Sequence, residues 1–459
     1  MVDVLNPATG EVVGQVQEGG RREARAAVDA AHEAFKSWSK KTAGERSELL
    51  MKWHHLIREH TDEIAEIMTR EQGKPLKEAA GEVTYANSFI SWYAEEAKRV
   101  YGQIIPASHP NKRILVQKQP VGVIAAITPW NFPAAMITRK VGPALAAGCT
   151  AVVKPAEQTP LTAIRMAELA YEAGIPRDVL QIVTGEAAEI GDAWMEDTRV
   201  TKISFTGSTE VGRLLMKKAA DTVKKLSLEL GGHAPFIVME DADLDQAVNG
   251  LIASKFRNAG QTCVCANRIY VQEGIAEEFS AKFAAAAAKL KVGNGLQEGV
   301  DIGPLIDSHA VEKVQKHIDD AIQKGGRVLT EVNAGGNAEG YFVNPVVIAD
   351  ATEEMLCMSE ETFGPVAPIT VFKTAEEAVE RANDTIYGLA AYVFTRDLTL
   401  AIRMSEELQY GIVGLNDGLP SVAQAPFGGF KQSGLGREGG HFGIEEYLEI
   451  KYISMGLPN

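Results

Sequence analysis

Two of the chain's four cysteines fall in one stretch, Asn258-Ala-Gly-Gln-Thr-Cys263-Val-Cys265-Ala-Asn-Arg-Ile269. The run Asn258 to Thr262 is too rich in Asn and Gly to prolong a helix, and the β-leaning Ile269-Tyr270-Val271 follows it. Cys263 is therefore expected on a tight turn between a helix and a strand, facing a cleft. A thiolate there is a nucleophile even when only a minor fraction is ionised. A lone cysteine is more often a small buried hydrophobe, so the case rests on its partners. Glu229, in Glu229-Leu-Gly-Gly232, offers a carboxylate that activates water against a thioester. Asn131 offers a side-chain N–H to a developing oxyanion, together with the backbone N–H of Cys263. Lys154 and Glu157, just past an apolar run, suit ribose hydroxyls; their alternative is a surface ion pair.

These groups need a scaffold, and the composition limits which one. At 459 residues the chain is too long for one core, so two or three domains are expected. Lys and Arg total 46 against 61 Asp and Glu, a net charge of −15 that disfavours nucleic acid and anionic membranes. The N-terminus carries Asp3, Asn6 and Glu11 without an apolar stretch, so no signal peptide is expected, and no run reaches transmembrane length. Four scattered cysteines form no disulfide framework and fit a reducing, cytoplasmic setting. With neither CxxC nor HExxH, no metal site is indicated.

Along the chain, residues 4–17 read as an extended lead-in. Ala24, Ala27, Val28, Ala31, Phe35 and Trp38 share one helical face, and Leu49, Leu50, Trp53, Leu56 and Ile57 share another. A third helix is predicted from an Asp62 N-cap to Gly73-Lys-Pro75, and a fourth over 76–100. Residues 101–105 and 113–119 predict a hairpin with exposed polar faces that pairs elsewhere, with the tail 447–453 or another subunit. From 121 to 209, short apolar runs alternate with helices, the pattern of a doubly wound parallel sheet. Ligands bind beyond the carboxyl ends of such strands, which singles out Thr128-Pro-Trp130-Asn131, Lys154 to Glu157, Thr184-Gly185 and Thr206-Gly207-Ser208. A second α/β series follows Gly232. Gly207-Ser-Thr-Glu-Val-Gly212 has the glycine spacing of a P-loop, but Arg213-Leu214 replaces Lys-Ser/Thr, which excludes that ATPase motif. No G-x-G-x-x-G fingerprint is present, so glycines alone do not identify a dinucleotide.

The set Thr128-Pro-Trp-Asn-Phe-Pro133, Lys154-Pro-Ala-Glu157, Phe205-Thr-Gly-Ser-Thr209, Glu229-Leu-Gly-Gly232, Gly260-Gln-Thr-Cys263, Glu361-Thr-Phe-Gly-Pro365 and Pro426-Phe-Gly-Gly429 resembles the aldehyde dehydrogenase superfamily in order and spacing, over essentially the whole chain. The resemblance implies an α/β fold with a Rossmann-type cofactor domain (1–100 and 120–230), an α/β catalytic domain (231–432) and a β oligomerisation arm (101–119 and 440–459). It implies Cys263 as nucleophile through a thiohemiacetal and thioester, Asn131 in the oxyanion hole and Glu229 as the hydrolytic base. Cofactor contacts carried over are Thr128, Trp130, Lys154, Glu157, Gly185, Phe205, Gly207, Ser208, Leu230, Glu361 and Phe363. Glu157 would repel a 2′-phosphate and bond a 2′-hydroxyl, which favours NAD over NADP. Within the superfamily, Lys255 to Arg268, Met136-Ile-Thr-Arg-Lys140 and Ser227 to Phe236 are similar to succinate-semialdehyde dehydrogenases, and Arg139, Arg257 and Ser421 match the residues that hold the distal carboxylate. Pro420 leaves the placement of Ser421 open. Some relatives use a cysteine pair like Cys263 and Cys265 as a redox switch, against which stands a simple buried thiol at Cys265. A homodimer or homotetramer is implied.

Other outcomes follow from the same residues. Glutarate semialdehyde differs by one methylene, and a broad aliphatic specificity is a further option. Two arginines would repel the cation of betaine aldehyde. Glu229 would waste the thioester of a CoA-acylating enzyme. Intact Cys263, Glu229 and Asn131 argue against a non-catalytic binding protein.

Overall fold

Five parallel strands form the sheet on which the expected cofactor motifs hang, and a computed structural model describes them within residues 1–332 and 340–458. Across this sheet the order is Leu180–Ile182, Thr150–Lys154, Val123–Ile127, Val200–Thr206 and Lys225–Glu229, with Gly434–Leu435 antiparallel at the edge. The chain runs outward one way from Val123–Ile127 and then returns to build the other way from Val200–Thr206. Such a reversal opens a crevice at the strands' carboxyl ends. Thr128 to Asn131 follow the first of these strands, and Gly207-Ser208 follow the second. Ser208 caps the helix Thr209–Ala219, its Oγ accepting from the Val211 N–H at 3.3 Å.

The second sheet has seven strands, in the order Arg327–Val328, Val346–Ala349, Val366–Phe372, Ala266–Gln272, Ala234–Val238, Ala390–Phe394 and Ile412–Leu415, parallel except at the first pair. It turns the opposite end to the crevice. Cys263 precedes Ala266, Gly231-Gly232 precede Ala234, and Glu361 to Pro365 precede Val366. Only Leu230–His233 separate the end of Lys225–Glu229 in one sheet from the start of Ala234–Val238 in the other.

A third sheet joins Gln103–Ile105, Lys112–Pro120 and Leu448–Gly456, the last two in continuous antiparallel register from Leu448↔Pro120 to Gly456↔Lys112. The tail thus pairs with the early hairpin, as the sequence suggests. Its open surface is not polar as expected, because Ile104 is 79% exposed, Ile450 71% and Tyr452 57%.

Local departures have local causes. The lead-in is a hairpin, Val2–Leu5 with Val12–Val16, closed where Asn6 O accepts from the Gly10 N–H at 2.7 Å. The third helix starts at Thr61 rather than behind Asp62, because Ala43–Glu59 runs into it through the shared residue His60. The fourth stops at Glu96, and Ala97–Arg99 tighten to a 3-10 turn. The sequence reading passed over Lys225–Glu229, Val346–Ala349 and Gly434–Leu435, strands too short to show a period. Residues 333–339 and Asn459, inside the expected catalytic and arm ranges, lie outside the described residues.

One buried ion pair ties the helical layer to the crevice. Lys74 and Glu82 pair with side chains only 1% and 2% exposed. Lys74 Nζ also donates to Asn131 O at 2.8 Å, and Glu82 Oε1 accepts from the N–H groups of Ala134 (2.9 Å) and Ala135 (3.2 Å). That carboxylate sits at the N-terminus of the helix Ala135–Ala147, which carries Arg139 and Lys140. Glu82→Ala strands a buried ammonium, and we expect it to lose about 3–5 kcal/mol in chemical denaturation. A loss under about 1 kcal/mol would show that the pair does not hold this corner.

Candidate active site

The Cys263 turn is built against its own backbone preference. Asn258, Ala259 and Gly260 have φ of 52°, 56° and 75°, three successive residues in the left-handed region. Gly260 is required, since a Cβ there would lie 2.3 Å from Gly364 O. The turn is pinned from outside. Asn258 N–H donates to Glu78 Oε2 (2.9 Å), Asn258 Nδ2 donates to Asn131 O (2.9 Å), and Gln72 Nε2 donates to Asn258 Oδ1 (2.9 Å). Gln261 Oε1 accepts from the Ile306 N–H at 3.0 Å, and Tyr392 Oη donates to Val264 O at 2.6 Å.

Cys263 lies at the meeting of two cavities. One, of about 230 Å³, is lined by Glu78, Tyr85, Arg139, Arg257, Ser421 and Phe427, among others. The other, of about 360 Å³, is lined by Trp130, Asn131, Gly207, Ser208, Leu230, Glu361 and Phe363. Cys263 and Met136 line both. Asn131 lines the larger cavity and its Nδ2 donates to Gln261 O at 3.0 Å, which leaves one N–H of the amide and the buried Oδ1 without a partner among the described residues.

Burial sets the titration of this centre. It pushes the Cys263 thiol up to about 12, with Arg139 opposing and Glu361 and Glu229 adding to the rise. Glu229 is 3% exposed with an unpaired Oε2, and burial followed by Glu438 holds its proton well above the usual carboxylate range. Glu361 is raised to about 7 by burial, while its Oε1 accepts from the Gly232 N–H at 2.9 Å.

The cofactor candidates separate into wall and support. Trp130 and Phe363 meet edge to face at 5.5 Å and 89°, with Phe363 at φ 57°. A Cβ on Gly207 would meet the Phe205 ring at 2.4 Å, and one on Gly231 would meet Glu361 Oε2 at 2.9 Å, so this wall has room for a ligand only with glycine in both places. Phe205 therefore supports the wall from behind. Thr128 donates its N–H to Lys154 O (3.1 Å), and Lys154, 2% exposed, gives its ammonium to Glu157. Glu157, Thr184, Gly185 and Glu186 line a third cavity of about 350 Å³ beyond the strand ends. Lys154 holds Glu157 at this cavity, and Thr128 is bonded in turn to Lys154. Glu157 at the third cavity and Glu361 with Phe363 at the second are partners of the kind that ribose hydroxyls and a nicotinamide ring require.

The substrate candidates also divide. Arg139 lines the smaller cavity with its Nε 2.7 Å from Glu438 Oε2 as an ion pair and its guanidinium stacked 3.7 Å over the Phe427 ring, while its buried Nη2 has no hydrogen-bond partner among the described residues. Glu438 also takes the Lys140 ammonium. Sequence reasoning did not foresee this carboxylate, which sits beyond the Gly-rich motif at the C-terminal end of the chain. Arg257, stacked 5.0 Å over Phe132, forms no ion pair or side-chain hydrogen bond among the described residues. Ser421 reaches the cavity despite Pro420. Glu78, Glu82 and Tyr85 were also missed, although their three-to-four spacing on Leu76–Glu96 marks one helix face.

Cys265, the redox candidate, is fully buried, and its Sγ donates to Lys255 O at 3.4 Å and accepts from Lys255 Nζ at 3.5 Å. All four cysteines are free thiols. His233 is buried, and neither ring nitrogen has a hydrogen-bond partner within normal geometry among the described residues. Among the described residues no acid, His and Cys cluster could hold a metal, and no helix is long and apolar enough to cross a membrane.

A thiol raised to about 12 predicts alkylation without cofactor that climbs about tenfold per pH unit from pH 7 to 10. Iodoacetamide inactivation kinetics measure it, and a plateau near pH 8 would contradict the burial argument.

Comparison with known proteins bears on the whole chain. The model of the Aldehyde dehydrogenase family matches residues 1–453. The chain is 58% identical to a succinate semialdehyde dehydrogenase of Acinetobacter baylyi, over 99% of this chain and 94% of that one. It is 57% identical to a glutarate-semialdehyde dehydrogenase of Pseudomonas putida over the same shares. The crystal structure of an aldehyde dehydrogenase from Brucella melitensis biovar abortus superposes with a TM-score of 0.98 at 58% identity, covering 100% of this chain and 94% of that one.

Proposed function

The chain belongs to the aldehyde dehydrogenase family, and on that premise we propose that it oxidises succinate semialdehyde to succinate with NAD. The observation that carries the substrate is Arg257, an unpaired guanidinium in the same cavity as Cys263. Glu78 shares this wall, but Arg257 forms no ion pair or side-chain hydrogen bond among the described residues, and such a guanidinium suits a carboxylate brought by the ligand. Glutarate semialdehyde, for which one relative is named, is the second reading, since one methylene separates affinities by only about 1–3 kcal/mol.

The chain's own groups order the reaction. Cys263 sulfur adds to the aldehyde carbon, its proton leaving to solvent. The free N–H of Asn131 and the backbone N–H of Cys263 receive the oxyanion. Bound NAD supplies the acceptor for the hydride that leaves the thiohemiacetal carbon. Glu229, its affinity for protons raised by burial, takes a proton from water as that water attacks the thioester, and the carboxylate and the Cys263 thiol are released. Glu361 and Phe363 position the nicotinamide end, and Glu157 the adenosine ribose.

Family members take NAD or NADP; Glu157 and Glu186 on the adenosine cavity place two carboxylates against a 2′-phosphate. We divide the chain into residues 1–100 with 120–230, 231–432, and 101–119 with 440–459; the strand Lys112–Pro120 crosses one of these bounds, and Gly434–Leu435 joins the cofactor sheet from outside them. The apolar surface of the third sheet supports a homodimer or homotetramer. Four free thiols suit a reducing, cytoplasmic compartment.

NADH formation tests the reading, with succinate semialdehyde, glutarate semialdehyde and propanal each offered with NAD or NADP. The carboxylated aldehydes with NAD are expected to lead, and equal or better kcat/KM with NADP would remove the Glu157 argument. Arg257→Ala is expected to raise KM for the carboxylated aldehydes at least about tenfold while sparing propanal, a loss of about 1.4 kcal/mol in recognition. The same loss with every aldehyde would discard the substrate.

A further inference from the structure

The smaller cavity holds a polar group that the reaction above leaves unused. Tyr85 lies on the face of the helix Leu76–Glu96 that also brings Glu78 and Glu82 to the cavity wall. Its ring is fixed edge-on to Phe89, with centroids 5.1 Å apart and planes at 86°. Its backbone carbonyl accepts from Ser88 Oγ at 2.6 Å, but its hydroxyl has no hydrogen-bond partner among the described residues. Tyr85 is half-buried with its hydroxyl uncommitted on the cavity wall, so the O–H is free to donate to a ligand there. The charged and ionisable groups around it are Arg139, Arg257, Glu438 and Cys263.

The other cavity donors show why this one matters. Lys74 is committed to Glu82 and Asn131 O, and Arg139 is committed to Glu438 through its Nε. Besides the Cys263 thiol, four groups keep an open donor among the described residues: Arg139 Nη2, the Arg257 guanidinium, the Ser421 hydroxyl and the Tyr85 hydroxyl. A carboxylate has about four lone-pair sites, more than one guanidinium fills. Burial pushes the Tyr85 phenol further above its ordinary value, so it remains a neutral donor throughout the working pH range. A neutral O–H adds direction without adding a second cation to desolvate.

We propose that Tyr85 is a specificity-determining residue, whose phenolic O–H donates to the distal carboxylate of the aldehyde alongside Arg257 and Ser421. The inference rests on the proposed substrate class and adds a residue that neither the motifs nor the sequence resemblance singles out.

Tyr85→Phe removes one oxygen and keeps the ring on Phe89, so the fold is not at stake, and its melting temperature checks that. Steady-state rates at saturating NAD are measured with succinate semialdehyde and with butanal, which has the same carbon count and no carboxylate. The ratio of the two kcat/KM values is expected to fall about tenfold, through KM for the semialdehyde rather than kcat. Calorimetric titration of the enzyme with succinate is expected to lose affinity by a similar factor, a readout independent of turnover. An unchanged ratio with unchanged succinate binding overturns the role of Tyr85, as does an equal loss for both aldehydes. Arg257→Ala is run in parallel. If it lowers the ratio and Tyr85→Phe does not, Tyr85 alone falls; if neither lowers it, carboxylate recognition by this cavity falls as well.

Discussion

Asn258, Ala259 and Gly260 hold a conformation that an isolated chain avoids, and the geometry around Cys263 depends on their keeping it. Strain of this kind persists only where surroundings over-determine it. Here the surroundings come from far along the sequence: Gln72 and Glu78 in the N-terminal helices, Asn131 at the end of a cofactor-sheet strand, and Ile306 in the second half. The same Asn131 carbonyl receives both Lys74 Nζ and Asn258 Nδ2, so Asn131 and the Cys263 turn share one anchor. A shift of any of these elements moves Asn131 and Cys263 together.

Charge is distributed with the same interdependence. Arg139 and Lys140 both draw on Glu438, and Glu438 in turn raises the proton affinity of Glu229. Arg139, Lys140 and Glu229 are thereby coupled through a residue that lines neither of the cavities at Cys263. The two arginines of the smaller cavity differ in their own partners: Arg139 is ion-paired through Nε and stacked on Phe427 with Nη2 open, whereas Arg257 forms no ion pair among the described residues.

Much of this was legible in the sequence, for identifiable reasons. Parallel strands buried on both faces appear as apolar runs, so the cofactor sheet and its post-strand motifs could be placed from Val121 to Ser208. Cys263 was legible because Asn and Gly break a helix where a strand must follow. Lys225–Glu229 and Val346–Ala349 were missed because four or five residues carry no period. Glu438, Glu78 and Tyr85 were missed because their roles arise from packing between segments hundreds of residues apart. The exposed surface of the third sheet was misjudged because alternation in a two-sided strand does not say which face is covered. Ser421 was named from the resemblance, but Pro420 left its loop path open, and only the fold brings it to the cavity wall.

The last twenty-odd residues of the sequence have a bearing on how the molecule comes into being. Gly434–Leu435 closes the edge of the cofactor sheet against Leu228 and Glu229, and Leu448–Gly456 completes the arm on Lys112–Pro120. Until those segments leave the ribosome, the strand that ends in Glu229 is a bare sheet edge, and the hairpin at 103–120 lacks its third strand. Unpaired edges of this kind are the sites at which nascent chains associate wrongly. The cofactor half, though made first, is thus finished last, and a chain truncated before Gly434 is left with a sticky sheet rather than a smaller functional unit.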